Sequence, residues 1–441
     1  MFLEKGVGEK KRWFYPISSF LLGLGLSIGG TWTIFYPYIQ EHFSLTTVAN
    51  IVLASTFIGV GSMILGPMTA GLVIDKYGPK IPAILAAISA ISGYLLIAKM
   101  LTVDTWGSAM PLWYAGSFFI GFGLGLYGGT FSTTMAKWFP DKTGLATGIG
   151  GAGHLAASVV WSPLIAFMIR TSGFNKNIFI LIAIVAFIMF SVIIIFWKSP
   201  AHSVILDLLK KRNEKLLNKV SMPSRDFTLR EASRTPYFWI LYTGFLCASF
   251  AHMFFIQNVS LLIIEGLETT MGREQALAVV IPTFLILAGV FGAIGSFGWG
   301  FIMDKLGGPW KTLPILYFSS GALMLLFYLS YSNVALIMIV GSLLFLTVQG
   351  EPTAHYAAVS YAFGRKNLGR IMTTIQAFSV GIGVSTGPFV GAYIKDVTKG
   401  YFWAIMIAVG LRMVATMVSL IGLHMHRKNR LFAPVDNNSI V

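Results

Sequence analysis

Long apolar stretches alternate with short polar ones along this chain, and each apolar stretch has the length of a membrane-crossing helix. Twelve such segments, numbered 1 to 12 in chain order, cover residues 14–38, 47–74, 81–99, 111–136, 144–169, 177–197, 237–264, 276–303, 312–331, 334–361, 371–394 and 400–424. About 20 apolar residues in a helix cross the ~30 Å hydrocarbon core of a bilayer. Because only helices and closed barrels satisfy every backbone polar group in lipid, the pattern predicts an all-α protein with twelve transmembrane helices.

The longest polar stretch, residues 198–236, is rich in lysine and arginine and separates six apolar segments from six others. It predicts three parts: an N-terminal six-helix bundle over 1–197, a basic cytoplasmic linker over 198–236, and a C-terminal six-helix bundle over 237–441. Within the linker, the helical spacing of apolar residues over Val204–Leu217 predicts an amphipathic helix on the membrane surface.

The amino-acid composition also indicates a membrane protein. Of the 441 residues, 55% are hydrophobic and 11% are charged, against about 25% charged in an ordinary soluble domain. The net charge of +15 does not indicate a nucleic-acid partner, because the basic residues lie between apolar segments and not on one continuous face. The single cysteine, Cys247, lies inside segment 7, so no disulfide framework, metal cluster or cofactor is expected.

The distribution of basic residues predicts the orientation. Most of the 32 lysines and arginines lie on the side of the segments that both termini and the linker share. Short cytoplasmic loops carry such an excess. We therefore expect a multi-pass, monomeric protein of the cell membrane with its N- and C-termini in the cytoplasm and the lipid bilayer around it.

One short motif, G-x-x-x-D-K-x-G, occurs at the same place in both halves, after segments 2 and 8. Its glycines and aspartates are Gly71, Asp75 and Gly78 in the first copy and Gly300, Asp304 and Gly307 in the second. The first glycine of each copy is expected to let helix ends approach closely, and the last to allow a tight turn. Each aspartate can accept hydrogen bonds from a neighbouring helix N-terminus.

These repeated residues resemble the loop signature of the major facilitator superfamily, and the resemblance covers the whole chain. It implies two six-helix halves related by a pseudo-twofold axis, with a substrate cavity near the bilayer midplane that opens alternately to each side. It also implies that Asp75 and Asp304 serve gating and structure and do not bind substrate.

A narrower resemblance is carried by three further stretches. They are Lys137–Gly148, with the sequence KWFPDKTGLATG, Phe363–Gly369, with the sequence FGRKNLG, and Arg234–Pro236. They are similar to the oxalate/formate antiporter family, relatives of the monocarboxylate transporters. That family moves small carboxylates by exchange or together with protons.

Two positions depart from the narrower family. Its carboxylate-binding members usually place an arginine in helix 8, four residues before the motif glycine, where this chain has Ser296. Its oxalate-exchanging members place a lysine in helix 11, where this chain has Val380. A buried cation neutralises a carboxylate that has lost its water. The two substitutions therefore disfavour a dicarboxylate and leave a monocarboxylate as the hypothesis, provided that other donors bind it.

Ionisable side chains inside membrane segments are rare and often functional. Glu351 stands between Gly350 and Pro352, where a helix break is expected. It has two interpretations: a proton-coupling carboxylate, or a structural ion pair with Arg412 of segment 12. His355, four residues after Glu351, shares its helix face, is within reach of a hydrogen bond to it, and is a second proton-coupling candidate.

Neutral donors and a histidine are the candidates for substrate binding. Tyr127 ranks first, since it pairs a ring with a hydroxyl at a family-like aromatic position of helix 4. His154 follows a glycine run that permits close helix approach, although a satisfied buried histidine is the alternative there. The whole set is Tyr127, His154, Trp32, Gln257, Ser296 and Gln376.

The sequence therefore predicts a secondary active transporter for a small organic acid of the monocarboxylate type, working by alternating access and coupled to protons. A carrier of a neutral or cationic solute is an alternative, supported by Ser296, Val380 and the acidic Glu351. A transporter-like membrane sensor is a second one. No nucleophile–base pair, metal cluster or phosphate loop is visible, so no enzyme activity, catalytic residue or metal is expected.

Overall fold

The computed structural model of the chain describes residues 11–26, 29–139, 143–194, 197, 226–364 and 367–428, and helices dominate these ranges with no strand among them. Among these described residues, eleven helices are long and apolar enough to cross a membrane, and Lys176–Ser191 forms a shorter apolar helix. The prediction of an all-α membrane fold with twelve apolar helices is thereby confirmed. The linker residues 198–225, which include the amphipathic helix predicted over Val204–Leu217, lie outside the described residues.

The chain divides into two compact units, of which the first consists of Met1–Thr46 and Leu53–Lys219. Its helices longer than one turn are α1 Phe14–Leu26, α2 Phe35–His42, α4 Ala54–Gly59, α5 Gly66–Tyr77, α6 Lys80–Met100, α7 Trp106–Trp138, α8 Thr143–Ser172 and α9 Lys176–Ile194. Helix α6 packs along α7 and α9, α5 packs on α7, and α1 packs on α8. Glycine makes the last contact possible, because a Cβ at Gly153 of α8 would collide with the Phe20 carbonyl oxygen of α1.

The second unit consists of Val220–Val441 together with the short segment Thr47–Val52, which contains α3 Ala49–Val52. Its other helices are α10 Leu229–Ser233, α11 Pro236–Met271, α12 Arg273–Gln275, α13 Ile281–Leu306, α14 Pro309–Leu329, α15 Val334–Val348, α16 Glu351–Phe363, α17 Leu368–Ile375, α18 Gly381–Thr398 and α19 Phe402–Lys428. Helix α11 packs on α18 and α19, α14 packs on α19, and α13 packs on α15. The Asp396 carboxylate of α18 accepts the backbone N–H groups of Val48 and Ala49 at 2.7–3.1 Å.

In the part of the chain that the structure describes, three π-helical turns interrupt the membrane helices, at Val60–Leu65, Ala276–Val280 and Gln376–Val380. Such turns are rare and concentrate at functional sites. The third one contains Gln376, a predicted substrate contact, and ends at Val380, where the resemblance led us to expect a lysine. Hydropathy alone did not indicate any of them.

The repeated glycine–aspartate motif closes α5 and α13. Gly78 and Gly307, which follow these helices, have φ angles of 72° and 83°, a left-handed region that favours glycine. The expected close approach at the first glycine of the motif is wrong for Gly71, since no described heavy atom lies within 4 Å of a Cβ built there. At Gly300 the nearest atom is the Thr353 methyl carbon, at an ordinary contact distance of 3.8 Å. Asp304 is exposed, and the Asp75 side chain lies outside the described ones.

Candidate functional site: a buried ion pair in the second unit

A break between α15 and α16 creates the site. Helix α15 ends at Val348, Gln349 and Gly350 form a turn, and Glu351 begins α16. Two residues explain the break. Pro352 has no N–H for a continuous helix, and Gly350 packs so tightly on the Trp299 ring of α13 that a Cβ would collide with it. Glu351 is therefore held at a helix start inside the bundle.

Glu351 forms an ion pair with Arg412 of α19, in which Nη1 donates to Oε1. Glu351 is 3% exposed and Arg412 is fully buried. Gly321 of α14 allows α19 this close, because a Cβ there would lie 2.9 Å from the Arg412 Cβ. Of the two interpretations of Glu351, the structure therefore shows the ion pair. Pairing does not exclude proton coupling, because a buried carboxylate can exchange its counter-ion for a proton.

His355 continues the site one helical turn beyond Glu351. Its Nε2 atom pairs with the Tyr317 hydroxyl of α14 at 2.7 Å, the donor depending on the imidazole tautomer. Its ring stacks on Phe245 of α11, with centroids 3.6 Å apart. The partner of Nε2 is thus Tyr317, a residue of another helix, and not its near neighbour Glu351. Sequence reasoning missed Tyr317, although a phenol in the largely apolar segment 9 was a usable signal.

The Arg412 guanidinium is only partly satisfied. Within the described part of the chain, its Nε and Nη2 atoms have no hydrogen-bond partner, and neither does the buried Nε2 atom of His252 on α11. Arg412 and His252 are close enough to interact electrostatically. An unpaired buried donor costs about 1–3 kcal/mol, so this guanidinium can gain from a new acceptor when the local charges change.

Two substrate candidates of the first unit meet at Gly23 of α1. A Cβ at Gly23 would lie 3.0 Å from the His154 backbone nitrogen and 3.3 Å from the Tyr127 hydroxyl. That hydroxyl donates to the Ser19 carbonyl at 2.5 Å, and the Tyr127 ring stacks on Phe131. The Tyr127 side chain is buried, whereas that of His154 is exposed. Their role in binding substrate stays a prediction.

Trp32 lies in the core of the first unit. It is 1% exposed and stacks on Trp113 with ring centroids 5.2 Å apart and 6° between the planes. Such a ring stabilises packing. In this conformation Trp32 offers no surface to a solute, and a substrate contact there would need a rearrangement of the aromatic pair.

The remaining candidates lie in the second unit. Ser296 of α13 donates to the Gln349 carbonyl in the helix break at 3.3 Å. Gln376 begins the third π-helical turn and accepts a hydrogen bond from the exposed Tyr356 hydroxyl at 3.3 Å. Gln257 is partly exposed on α11. Ser296 and Gln376 thus contact residues of segment 10 from two other parts of the second unit. Glu351 and His355, which belong to segment 10, instead contact Arg412 and Tyr317 in the interior of the bundle.

Comparisons with known proteins agree with this architecture. The family described as Major Facilitator Superfamily matches residues 17–351. The oxalate:formate antiporter of Oxalobacter formigenes is 25% identical over 394 residues, which is 85% of this chain and 84% of that protein. An uncharacterized MFS-type transporter of Escherichia coli (strain K12), YhjX, is 22% identical over 56% of this chain and 57% of its own length.

A solved structure shows the same fold. The crystal structure of the E. coli fucose:proton symporter FucP matches with a TM-score of 0.57 at 16% identity, covering 92% of this chain and 98% of that one. At this identity the likeness concerns the fold alone.

Proposed function

Because this chain belongs to the major facilitator superfamily, we propose that it carries a small organic acid of the monocarboxylate type across the cytoplasmic membrane, by alternating access and together with protons. Its N- and C-termini face the cytoplasm in this proposal, in line with the lysine and arginine distribution, and the chain acts as a monomer. The likeness to an oxalate:formate antiporter over most of both chains supports a small carboxylate as the solute.

The observation that carries the proposal is the enclosed pair of Glu351 and Arg412. If Glu351 takes up a proton, Arg412 becomes a lone cation in a low-dielectric interior, which is costly by several kcal/mol. The bundle must then rearrange or give Arg412 another acceptor. Protonation of Glu351 is thereby tied to a change of conformation, and this is what coupling to a proton gradient requires.

Two positions favour a monocarboxylate over a dicarboxylate. Ser296 and Val380 supply no positive charge where the narrower family has an arginine and a lysine. Gln376 and Tyr356 place amide and hydroxyl groups near Val380 instead. Neutral donors can bind one carboxylate, but the cost of burying a second charge would remain uncompensated.

The same two positions favour a second candidate function, the carriage of a neutral or cationic solute. Without the arginine and the lysine, a cation is no longer repelled, and Glu351 adds a nearby acidic group. The two functions differ in the charge of the solute and can be separated by one screen.

The experiment is uptake into proteoliposomes with labelled monocarboxylates, dicarboxylates, amines and sugars, each with and without an inward proton gradient. We expect uptake of a monocarboxylate that the gradient accelerates. Uptake of an amine or a sugar without uptake of any carboxylate would refute the organic-acid proposal.

A matched pair of variants tests the coupling role. Glu351→Gln should abolish the response to the gradient. Glu265→Gln makes the same change at a half-buried carboxylate of α11, whose partner is the Tyr401 N–H at 3.1 Å, and should keep the response. Gradient-driven uptake that survives in Glu351→Gln would contradict proton coupling through Glu351.

A further inference from the structure

The pair of Glu351 and Arg412 is closed off from the protein surface, so protons need a path to it. Among the described residues, the titratable groups around it include His355 on α16, Tyr317 on α14 and His252 on α11, and Cys247 of α11 lies near Tyr317. Of these, Tyr317 interacts electrostatically with Glu351, Arg412 and Cys247 and is also hydrogen-bonded to His355. Tyr317 therefore connects His355 with Glu351, Arg412 and Cys247.

Tyr317 also borders a small pocket between α11, α14 and α19. The pocket has room for about one water molecule. Its lining is mostly apolar, and the side chains with polar atoms are Tyr317, Ser419 and Trp310, the last at the start of α14. An internal water requires at least two polar partners, and the hydroxyl-bearing lining residues are Tyr317 and Ser419, whose own hydroxyl donates to the Thr416 carbonyl at 2.8 Å.

A missing side chain keeps the Tyr317 ring open to this pocket. Gly244 of α11 lines the pocket, and a Cβ built there would lie 3.8 Å from Tyr317 Cε2 and 4.0 Å from its hydroxyl oxygen. Both are ordinary contact distances. The site therefore has room for a Cβ, and glycine leaves this space beside the phenol free.

We infer that this pocket and Tyr317 form the route by which protons reach the Glu351–Arg412 pair, separate from the path of the solute. The inference rests on the proposed proton-coupled function. A hydronium ion that enters the pocket from solvent gives a proton to the Tyr317 oxygen and leaves a neutral water, while the original hydroxyl proton passes to His355 Nε2, across the 2.7 Å hydrogen bond. The imidazolium then gives one proton to the Glu351 carboxylate, one helical turn away on the same face. The hydroxyl is regenerated and the imidazole is neutral again.

The test fills the pocket and separates net transport from exchange. Gly244→Leu places a side chain beside the phenol, and Tyr317→Phe keeps the ring but removes the hydroxyl. In both, gradient-driven uptake should fall by about 10-fold or more, the size of effect expected for loss of a proton-transfer group. Exchange of labelled for unlabelled solute without a gradient should stay within about twofold of the parent chain.

The matched control is Gly410→Leu. Gly410 lies on the exposed face of α19, and no described atom lies within 4 Å of a Cβ built there. This variant should keep both activities. A thermal unfolding scan of each variant tests whether the fold is retained. Gly244→Ala, the smallest filling change, is included in this scan.

The outcomes are distinct. Gradient-driven uptake within about twofold of the parent in both Gly244→Leu and Tyr317→Phe would overturn the route. Loss of exchange in a folded Gly244→Leu variant would also overturn it, because the pocket would then serve the solute. A parent chain that moves solute without any response to a gradient would refute the proposed function itself, before any variant is made.

Discussion

The buried pair of Glu351 and Arg412 gives the sharpest energetic prediction, because its two members respond differently to the loss of the other. Glu351→Leu leaves a fully buried guanidinium without its carboxylate, and arginine cannot lose its proton in a protein. Removal of one partner of such a pair costs about 3–5 kcal/mol of unfolding free energy. Arg412→Met should cost less, since the remaining carboxyl group can take up a proton and become neutral.

The double variant, Glu351→Leu with Arg412→Met, removes both charges and keeps apolar groups of similar length. Buried ion pairs replaced by packed apolar side chains are often neutral or more stable. We therefore expect the double variant to return to within about 1 kcal/mol of the parent chain. The two changes would then be strongly non-additive, as expected for side chains in direct contact.

The assay is reversible unfolding in mixed detergent micelles, followed by tryptophan fluorescence, for the parent, both single variants and the double variant. If the cost of the double variant equals the summed cost of the single ones, the pair is not energetically coupled and this reasoning is refuted. Transport adds a second readout. The double variant should be stable but unresponsive to a proton gradient, because it lacks the Glu351 carboxylate that takes up the proton.

Three further predictions concern backbone and packing, all measured by the same unfolding assay. Gly153→Val should prevent stable folding, since its side chain would collide with the facing helix, whereas Gly151→Ala, which meets only an ordinary contact of 3.7 Å, should be tolerated. Gly307→Ala should cost about 1 kcal/mol because of its positive φ, and equal stability of Gly307→Ala and Gly71→Ala would contradict this. Asp396→Asn weakens the charge-assisted hydrogen bonds that the Val48 and Ala49 N–H groups donate, and should lower the free energy of unfolding by about 1 kcal/mol or more. An unchanged unfolding midpoint would contradict a stabilising role of these hydrogen bonds.

The helices could be predicted from the sequence because the bilayer imposes a simple rule of length and apolarity. The ion pair was one of two open alternatives, since Glu351 and Arg412 are conspicuous charges in apolar segments. For His355 the sequence indicated only that Glu351 was within reach, and it did not indicate the hydrogen bond that Nε2 forms. Its actual partner, Tyr317, belongs to a different helix, and only the packing of α14 on α16 brings the two together.

Other features were beyond sequence reasoning for physical reasons. A π-helical turn depends on packing around the helix and leaves the hydropathy pattern almost unchanged. The close approach expected at Gly71 was inferred from residue type alone, but a glycine only permits contact and does not require it. Trp32 was selected as a polar-tipped aromatic residue, and its stacking on Trp113 shows that packing accounts for it.

The π-helical turns also affect how the amino-acid sequences of the two halves should be aligned with each other. Each π-helical turn adds one residue, and one residue in an α-helix corresponds to a rotation of about 100°. The turn at Val60–Leu65 lies closer to its copy of the shared motif than the turn at Ala276–Val280 lies to the second copy. Between these two points a gapless alignment of the halves pairs residues on different helix faces. A one-residue gap there is needed before any internal duplication of function is inferred from matching positions.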